Sequence, residues 1–148
     1  MTPKVAYAPE PEVTTRLSSS YKPRILLVED NQDTQDLLLS LLDDQYEVLA
    51  ATSFNAGLEL AQNTACDLFI IDIHLAGDGR TGVDLLQAIR KMKPYATTPA
   101  LACTAYGPKY GAFDWYKREG FNAYLRKPFD LDELIRELQL LTSGHSSH

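Results

Sequence analysis

Five short apolar runs alternate with five segments of helical period, and that alternation constrains the fold more than any other feature of the chain. Arg24-Ile-Leu-Leu-Val28 stops abruptly at Glu29-Asp30; an unbroken apolar run of this length reads as a strand covered on both faces. Leu37, Leu38, Leu41 and Leu42 follow at helical spacing and predict a helix over 33–43. Residues 46–51 form a second strand, and Ser53 is placed to cap a helix that uses Ala56, Leu58, Leu60 and Ala61. Asp67-Leu-Phe-Ile-Ile-Asp72 is a third strand, ending in a carboxylate. Residues 82–92 predict a helix with Leu85, Leu86 and Ile89 inward, and Pro99-Ala-Leu-Ala-Cys-Thr104 is a fourth strand, ending in a hydroxyl. A helix over 109–119 has Pro108 at its first turn and Gly120 after its end. Residues 123–126 form the fifth strand. Asp130 caps a last helix with Glu133 three residues on, and Leu131, Leu134, Ile135, Leu138 and Leu141 line its buried face. Strands separated by helices imply parallel crossovers, hence an α/β fold with a doubly wound sheet covered on both sides. Such a sheet carries its working site outside the carboxyl ends of its strands.

Size and charge narrow the functional classes. A chain of 148 residues is one domain. Residues 1–22 hold three prolines and a Ser18-Ser19-Ser20 run without apolar period, and read as a flexible extension; residues 23–141 form the domain, and 142–148 a polar tail. The extension carries three basic and two acidic residues, a net +1, so the remainder carries −7 against −6 for the whole chain. An acidic domain is a poor binder of nucleic acid through its bare surface. No apolar run approaches the roughly 20 residues that span a bilayer. The start lacks the basic-then-apolar layout of a signal peptide, so a cytoplasmic location is expected. Cys66 and Cys103 belong to no CxxC or Cys/His cluster, which disfavours a disulfide scaffold or structural zinc.

The chemistry lies just past the strands. Glu29 and Asp30 follow the first, Asp72 ends the third, Thr104 ends the fourth, and Lys127-Pro128 follows the fifth. In a doubly wound sheet these ends share one edge, so three carboxylates, a hydroxyl and an ammonium converge. Packed carboxylates raise one another's pKa, and a divalent cation resolves the conflict. Hard oxygen ligands with few protein contacts suit Mg²⁺. An aspartate is a competent nucleophile toward phosphorus. Phosphoryl transfer needs positioned positive charge more than a base, which Lys127 and the cation supply, while Thr104 can donate to a phosphoryl oxygen.

With these residues in place, the chain resembles the receiver domain of two-component response regulators. The resemblance covers about residues 24–141 and rests on Ile25-Leu-Leu-Val-Glu-Asp-Asn31, Leu68-Phe-Ile-Ile-Asp72, Ala102-Cys-Thr-Ala105 and Tyr124-Leu-Arg-Lys-Pro-Phe129. It implies a flavodoxin-like fold of strand order 2-1-3-4-5. It also implies Asp72 as phosphoacceptor, with Glu29, Asp30, Asp72 and the backbone carbonyl of His74 around Mg²⁺ or Mn²⁺. Thr104 matches the switch hydroxyl, Lys127 the phosphate-pairing lysine, Tyr124 the aromatic switch, and Lys127–Pro128 a bond that is usually cis. The loop after the phosphoacceptor departs from the family. Ala76 stands where a proline is common, and Ala76-Gly-Asp-Gly-Arg-Thr-Gly82 is about two residues longer than the commonest form.

The expected partners are a histidine kinase or a histidine phosphotransfer protein. No output domain follows Leu141, so a stand-alone regulator is expected to signal by binding a downstream protein through the fourth helix, fifth strand and fifth helix, with a second copy of the chain also open as a partner. Tyr106, Tyr110, Phe113, Trp115 and Tyr116 crowd that fourth helix, and some must be exposed. Such a protein is a phosphoacceptor that assists its own phosphorylation and dephosphorylation, not an enzyme. The alternatives are a phosphorylation-independent binding module or a receiver fragment of a hybrid histidine kinase. A haloacid-dehalogenase-type phosphatase would want an aspartate where His74 stands, and a flavodoxin would not place Glu29 and Asp30 against a phosphate. Ring ligation by His74 is disfavoured against use of its backbone; His145 and His148 have no partner motif. Cys103 reads as packing, and Cys66 as an exposed thiol.

Overall fold

The computed structural model describes residues 22–75, 77, 79–105 and 112–143. Ala76, the 106–111 stretch with Tyr106, Pro108 and Tyr110, the 1–21 extension, and His145 and His148 lie outside the described residues, as does the side chain of Phe113.

The chain runs β1 (Arg24–Val28), α1 (Gln32–Leu42), β2 (Glu47–Ala51), α2 (Phe54–Asn63), β3 (Leu68–Asp72), α3 (Gly82–Arg90), a 3-10 turn (Lys93–Tyr95), β4 (Ala100–Thr104), α4 (Ala112–Arg118), β5 (Ala123–Arg126) and α5 (Leu131–Thr142). All pairings are parallel, in the order β2-β1-β3-β4-β5. Strand alternation divides the core in two. Leu26, Val28, Phe69, Ile71, Ala100 and Ala102 face the layer of α2, α3 and α4. Ile25, Leu27, Leu68, Ile70, Leu101 and Cys103 face α1 and α5. Both faces are therefore apolar in β1, β3 and β4, which is why these strands read as unbroken runs. Burying each leucine or isoleucine contributes roughly 1.5–3 kcal/mol.

Side chains set the helix starts. Asn31 Oδ1 accepts from the Thr34 N–H at 2.8 Å, Ser53 Oγ from Ala56, and Asp130 Oδ1 from Glu133. Thr81 and Asp84 cap each other's backbone reciprocally. Gly120, at φ +112°, follows the α4 turn in a conformation that side chains disfavour.

Three of the helices, α1, α2 and α5, bury narrower stripes than their sequences suggest, whereas α3 buries Val83, Leu85, Leu86 and Ile89. In α1, Leu38 and Leu42 are buried with Gln35, while Leu37 and Leu41 are exposed. In α2 the buried line is Phe54, Gly57 and Ala61, with Leu58 and Leu60 only half-buried. Leu131 at the start of α5 is exposed, although Leu134, Leu138 and Leu141 are buried. In these three helices about one residue per turn is fully covered and the rest of the apolar period spills onto the flanks. Cys66, expected to be exposed, is buried: its Sγ lies 3.4 Å from the Thr64 carbonyl, and burial raises the thiol's pKa.

At the amino edge of the sheet, polar side chains serve the backbone. The Arg90 guanidinium donates to the carbonyls of Tyr95, Thr98 and Gly120 and to Asn122 Oδ1. Asn122 Oδ1 also accepts from the Ala100 N–H, and Asp67 Oδ2 accepts from the Arg24 N–H.

Candidate functional site

At the opposite edge, β1, β3, β4 and β5 deliver Glu29, Asp72, Thr104 and Lys127 to one place. Glu29 leaves β1 with its N–H on the Ala51 carbonyl at 3.0 Å. Gln35, buried under the turn, donates Nε2 to the Ala51 carbonyl at 2.9 Å and to the Glu29 carbonyl at 3.3 Å, which locks the β1–α1 connection. The Glu29 carboxylate accepts the Asn31 N–H on Oε2 and the Lys127 ammonium on Oε1, the latter at 2.7 Å. Asp72 is 5% exposed at the end of β3; its Oδ1 accepts the His74 N–H at 3.2 Å, and its Oδ2 lies 3.4 Å from Lys127 Nζ. Lys127 is fixed through its own N–H to the Thr104 carbonyl, and the Lys127–Pro128 peptide is cis. Gly82 opens α3 so close to β3 that a Cβ there would meet the Asp72 carbonyl oxygen and the Ile73 Cα. This position needs glycine for the close approach, and it presses α3 against the phosphoacceptor candidate.

Glu29, Asp30 and Asp72 each offer a carboxylate oxygen, and these oxygens lie within 4.8 Å of one another. Among the described residues the ammonium of Lys127 stands against them. Burial, then the charge of Glu29, pushes the Asp72 carboxyl up to about 7, with Lys127 and the His74 N–H pulling the other way. Burial lowers the pKa of Lys127, but the hydrogen bond to Glu29 and the charges of Asp72 and Glu29 outweigh it and hold the ammonium above its ordinary range. An all-oxygen donor set with carboxylates in excess of its counter-charge fits a hard divalent cation.

Thr104 is fully buried. His74 Nδ1 lies 3.1 Å from Thr104 Oγ1, so the His74 ring as well as its backbone is tied to the site. Tyr116 on α4 is buried as well, and burial raises the pKa of its phenol. The Tyr116 ring stacks on Tyr124, with centroids 5.0 Å apart and planes 19° from parallel. Trp115 packs edge-on against Tyr116 at 4.8 Å and is one of the exposed large apolar side chains.

The structure thus brings Glu29, Asp30, Asp72, Thr104, Lys127 and His74 together, while Tyr124 lies on β5 opposite Ala102 of β4. Sequence reasoning passed over Gln35 and gave no site role to Gly82 or Tyr116. Gln35 carried a signal: it sits at the helical spacing of Leu38 and Leu42, a polar residue on the inward stripe. Gly82 and Tyr116 carried none, because each depends on what an element distant in sequence places opposite it.

Beside the site an apolar groove of about 420 Å³ runs between α1 and α5, lined by Leu37, Leu41, Phe129 and Leu131 and ending at Lys127 and Ala105. Among the described residues no helix is long and apolar enough to cross a membrane.

Comparison with known proteins agrees with this geometry. The chain is 35% identical over 116 residues to an uncharacterised 14.6 kDa protein of Leptolyngbya boryana, covering 78% of this chain and 86% of that one. It is 30% identical over 119 residues to the response regulator ArlR of Staphylococcus epidermidis, where the match covers 78% of this chain but only 50% of ArlR, so the chain spans about half the length of that relative. Its structure superposes with a TM-score of 0.72 on the receiver domain of the sensor histidine kinase PA1611 from Pseudomonas aeruginosa, which holds a magnesium ion in its active site cleft; identity is 28%, over 82% of this chain and 98% of that one. Residues 25–139 match the response regulator receiver domain as a family, and with its five parallel strands in the order 2-1-3-4-5 the chain belongs to the receiver domains of two-component response regulators.

Proposed function

We propose that Asp72 accepts a phosphoryl group from a phosphohistidine on a histidine kinase or histidine phosphotransfer protein, and that the modified domain signals by binding another protein. Receiver domains generally act as phosphoacceptors and not as enzymes. The observation that carries this reading is the buried Asp72 carboxylate, paired with Lys127 and set within 4.8 Å of two further carboxylates at the carboxyl edge of the sheet.

An Asp72 carboxylate oxygen attacks phosphorus, the donor's P–N bond breaks, and its electrons return to the imidazole nitrogen. Lys127 pairs with the phosphoryl oxygens as they lose their donor, and the Thr104 hydroxyl donates to one of them. Mg²⁺ held by Glu29, Asp30, Asp72 and the His74 carbonyl would supply the charge that lets two anions approach. All these groups lie between residues 29 and 127, so residues 23–141 carry the reaction without the segments on either side. The donor must bring its imidazole to Asp72, and a protein-sized donor then covers the adjoining groove with the exposed Leu37, Leu41 and Leu131. The signal leaves across α4, β5 and α5, where Trp115 is exposed.

Incubation with acetyl phosphate and Mg²⁺ tests the reading. The expected result is a mass gain of one phosphoryl group that is stable in acid, removed by hydroxylamine and absent in Asp72→Asn. A wild-type chain that gains nothing, while folded and supplied with Mg²⁺, would leave only a phosphorylation-independent binding module.

A further inference from the structure

His74 is bonded to both groups between which a phosphoryl group would stand. Its N–H donates to Asp72 Oδ1 at 3.2 Å, and its ring Nδ1 lies 3.1 Å from Thr104 Oγ1. The backbone that carries it is fixed. Ile73 continues the line of β3 past Asp72, its N–H donating to the Cys103 carbonyl at 2.9 Å and its carbonyl accepting the Gly82 N–H at 2.8 Å. Ile73 and Leu75 are buried on either side, while His74 itself is exposed. The ring therefore reaches from solvent to a hydroxyl that is fully buried at the end of β4.

We infer that the His74 ring is a positioning residue for phosphoryl transfer: it holds the Thr104 hydroxyl toward Asp72 and supports it while that hydroxyl donates to the phosphoryl group. The inference rests on Asp72 being the phosphoacceptor. A threonine hydroxyl has one hydrogen to donate and lone pairs with which to accept. A phosphoryl oxygen on Asp72 takes the hydrogen in a charge-assisted bond. The lone pairs of Oγ1 then remain for the ring, which donates from Nδ1–H. Because the residue is exposed, its imidazole exchanges hydrogens with water and carries one on whichever nitrogen the site needs. The chain from Nδ1–H to Oγ1–H to the phosphoryl oxygen is cooperative, each bond polarising the next. In the unmodified domain the same pair makes one neutral bond and no more. The ring's bond is thus stronger after Asp72 is modified than before, and only such a difference lets a side chain favour one state over the other. His74 acts through Thr104 and not on the phosphorus itself.

The test uses the full chain with saturating Mg²⁺ and reads its affinity for beryllofluoride, a phosphoryl mimic, by isothermal titration calorimetry. His74→Phe keeps a ring without the nitrogen and should bind the mimic about three- to tenfold more weakly, the worth of one hydrogen bond. His74→Asn carries an amide N–H at the reach of Nδ1 and should recover most of that loss. In a Thr104→Val background, itself weakened, His74→Phe should cost nothing further, because the ring acts only through the hydroxyl. His74 is exposed, so these substitutions leave the core intact. Wild-type affinity in His74→Phe, an equal loss in His74→Asn, or an undiminished loss on top of Thr104→Val would each overturn the inference and leave Asp72 in its role. A wild-type chain that binds no mimic and takes no phosphoryl group from acetyl phosphate would instead remove the reading on which it rests.

Discussion

The two edges of the same five strands treat charge in opposite ways. At the amino edge, Arg90 spreads one guanidinium over three carbonyls and a side-chain amide, and Asn122 and Asp67 each accept a strand N–H. These groups close the sheet and satisfy its end. At the carboxyl edge, Glu29, Asp30 and Asp72 crowd around one ammonium, and Asp72 is pushed up to about 7. Polar residues that serve the backbone raise stability, whereas carboxylates that raise one another's pKa cost stability and persist where a ligand or a reaction uses them. Substitutions at the two edges should therefore fail in different assays.

The largest effect belongs to the carboxyl edge. Asp72→Asn should lower phosphoryl uptake from acetyl phosphate by roughly a thousandfold or more, because the amide is nearly isosteric yet lacks the nucleophilic oxygen. The same variant should be at least as stable as wild type in metal-free buffer at about pH 7.5, since it removes one of three crowded charges. Mass spectrometry and thermal melts on one sample read both; a destabilised Asp72→Asn would mean that the carboxylate is structural after all. Arg90→Met reverses the pattern. It leaves three carbonyls without their donor and should cost about 2–4 kcal/mol in denaturant unfolding. Phosphoryl uptake, measured well below the lowered melting temperature, should stay close to wild type. Gly82→Ala sits between the two cases. Its Cβ meets the Asp72 carbonyl and Ile73 Cα, backbone that can yield only by moving β3 or α3. A loss of about 1–3 kcal/mol is expected, together with slower phosphoryl uptake, because the displaced strand carries Asp72. An unchanged uptake rate would uncouple that helix start from the site.

The sheet and the charged residues at its ends were legible because both depend on local pattern. An apolar run of five residues can only be a covered strand here, and the residue after it must lie at the sheet edge. The places of Asp72, Thr104 and Lys127 at that edge thus follow from their positions in the chain alone. What escaped depends on packing across the domain. Leu37, Leu41 and Leu131 share the helical period of the core but lie on its rim, and period alone does not fix how wide a stripe the sheet covers. Cys66 precedes a strand yet is covered by the turn around Tyr95, whose hydroxyl bonds the Ala61 and Thr64 carbonyls. Tyr116 was one of five aromatics in a crowded segment, and nothing local distinguishes the one that stacks on Tyr124.

The smallest predicted effect follows from the Asp72 carboxyl itself. Its ordinary value is 3.8, and burial with Glu29 nearby raises it to about 7 in the folded chain. Between those values the folded state binds a proton that the unfolded state has released. The contribution of Asp72 to metal-free stability is therefore fully present below about pH 4 and declines as pH rises toward 7. Glu29 and Lys127 share the titration, which limits the decline to the order of 1–2 kcal/mol. Urea unfolding at a series of pH values should show the decline in wild type and a flatter profile in Asp72→Asn. Millimolar Mg²⁺ should also flatten it, because the cation favours the ionised form and binds only the folded edge. Arg90→Met should keep the wild-type slope at a lower overall stability, since the charge it removes lies at the other end of the sheet. A slope that survives in Asp72→Asn would move the titrating group elsewhere and break the contrast between the two edges at its charged end.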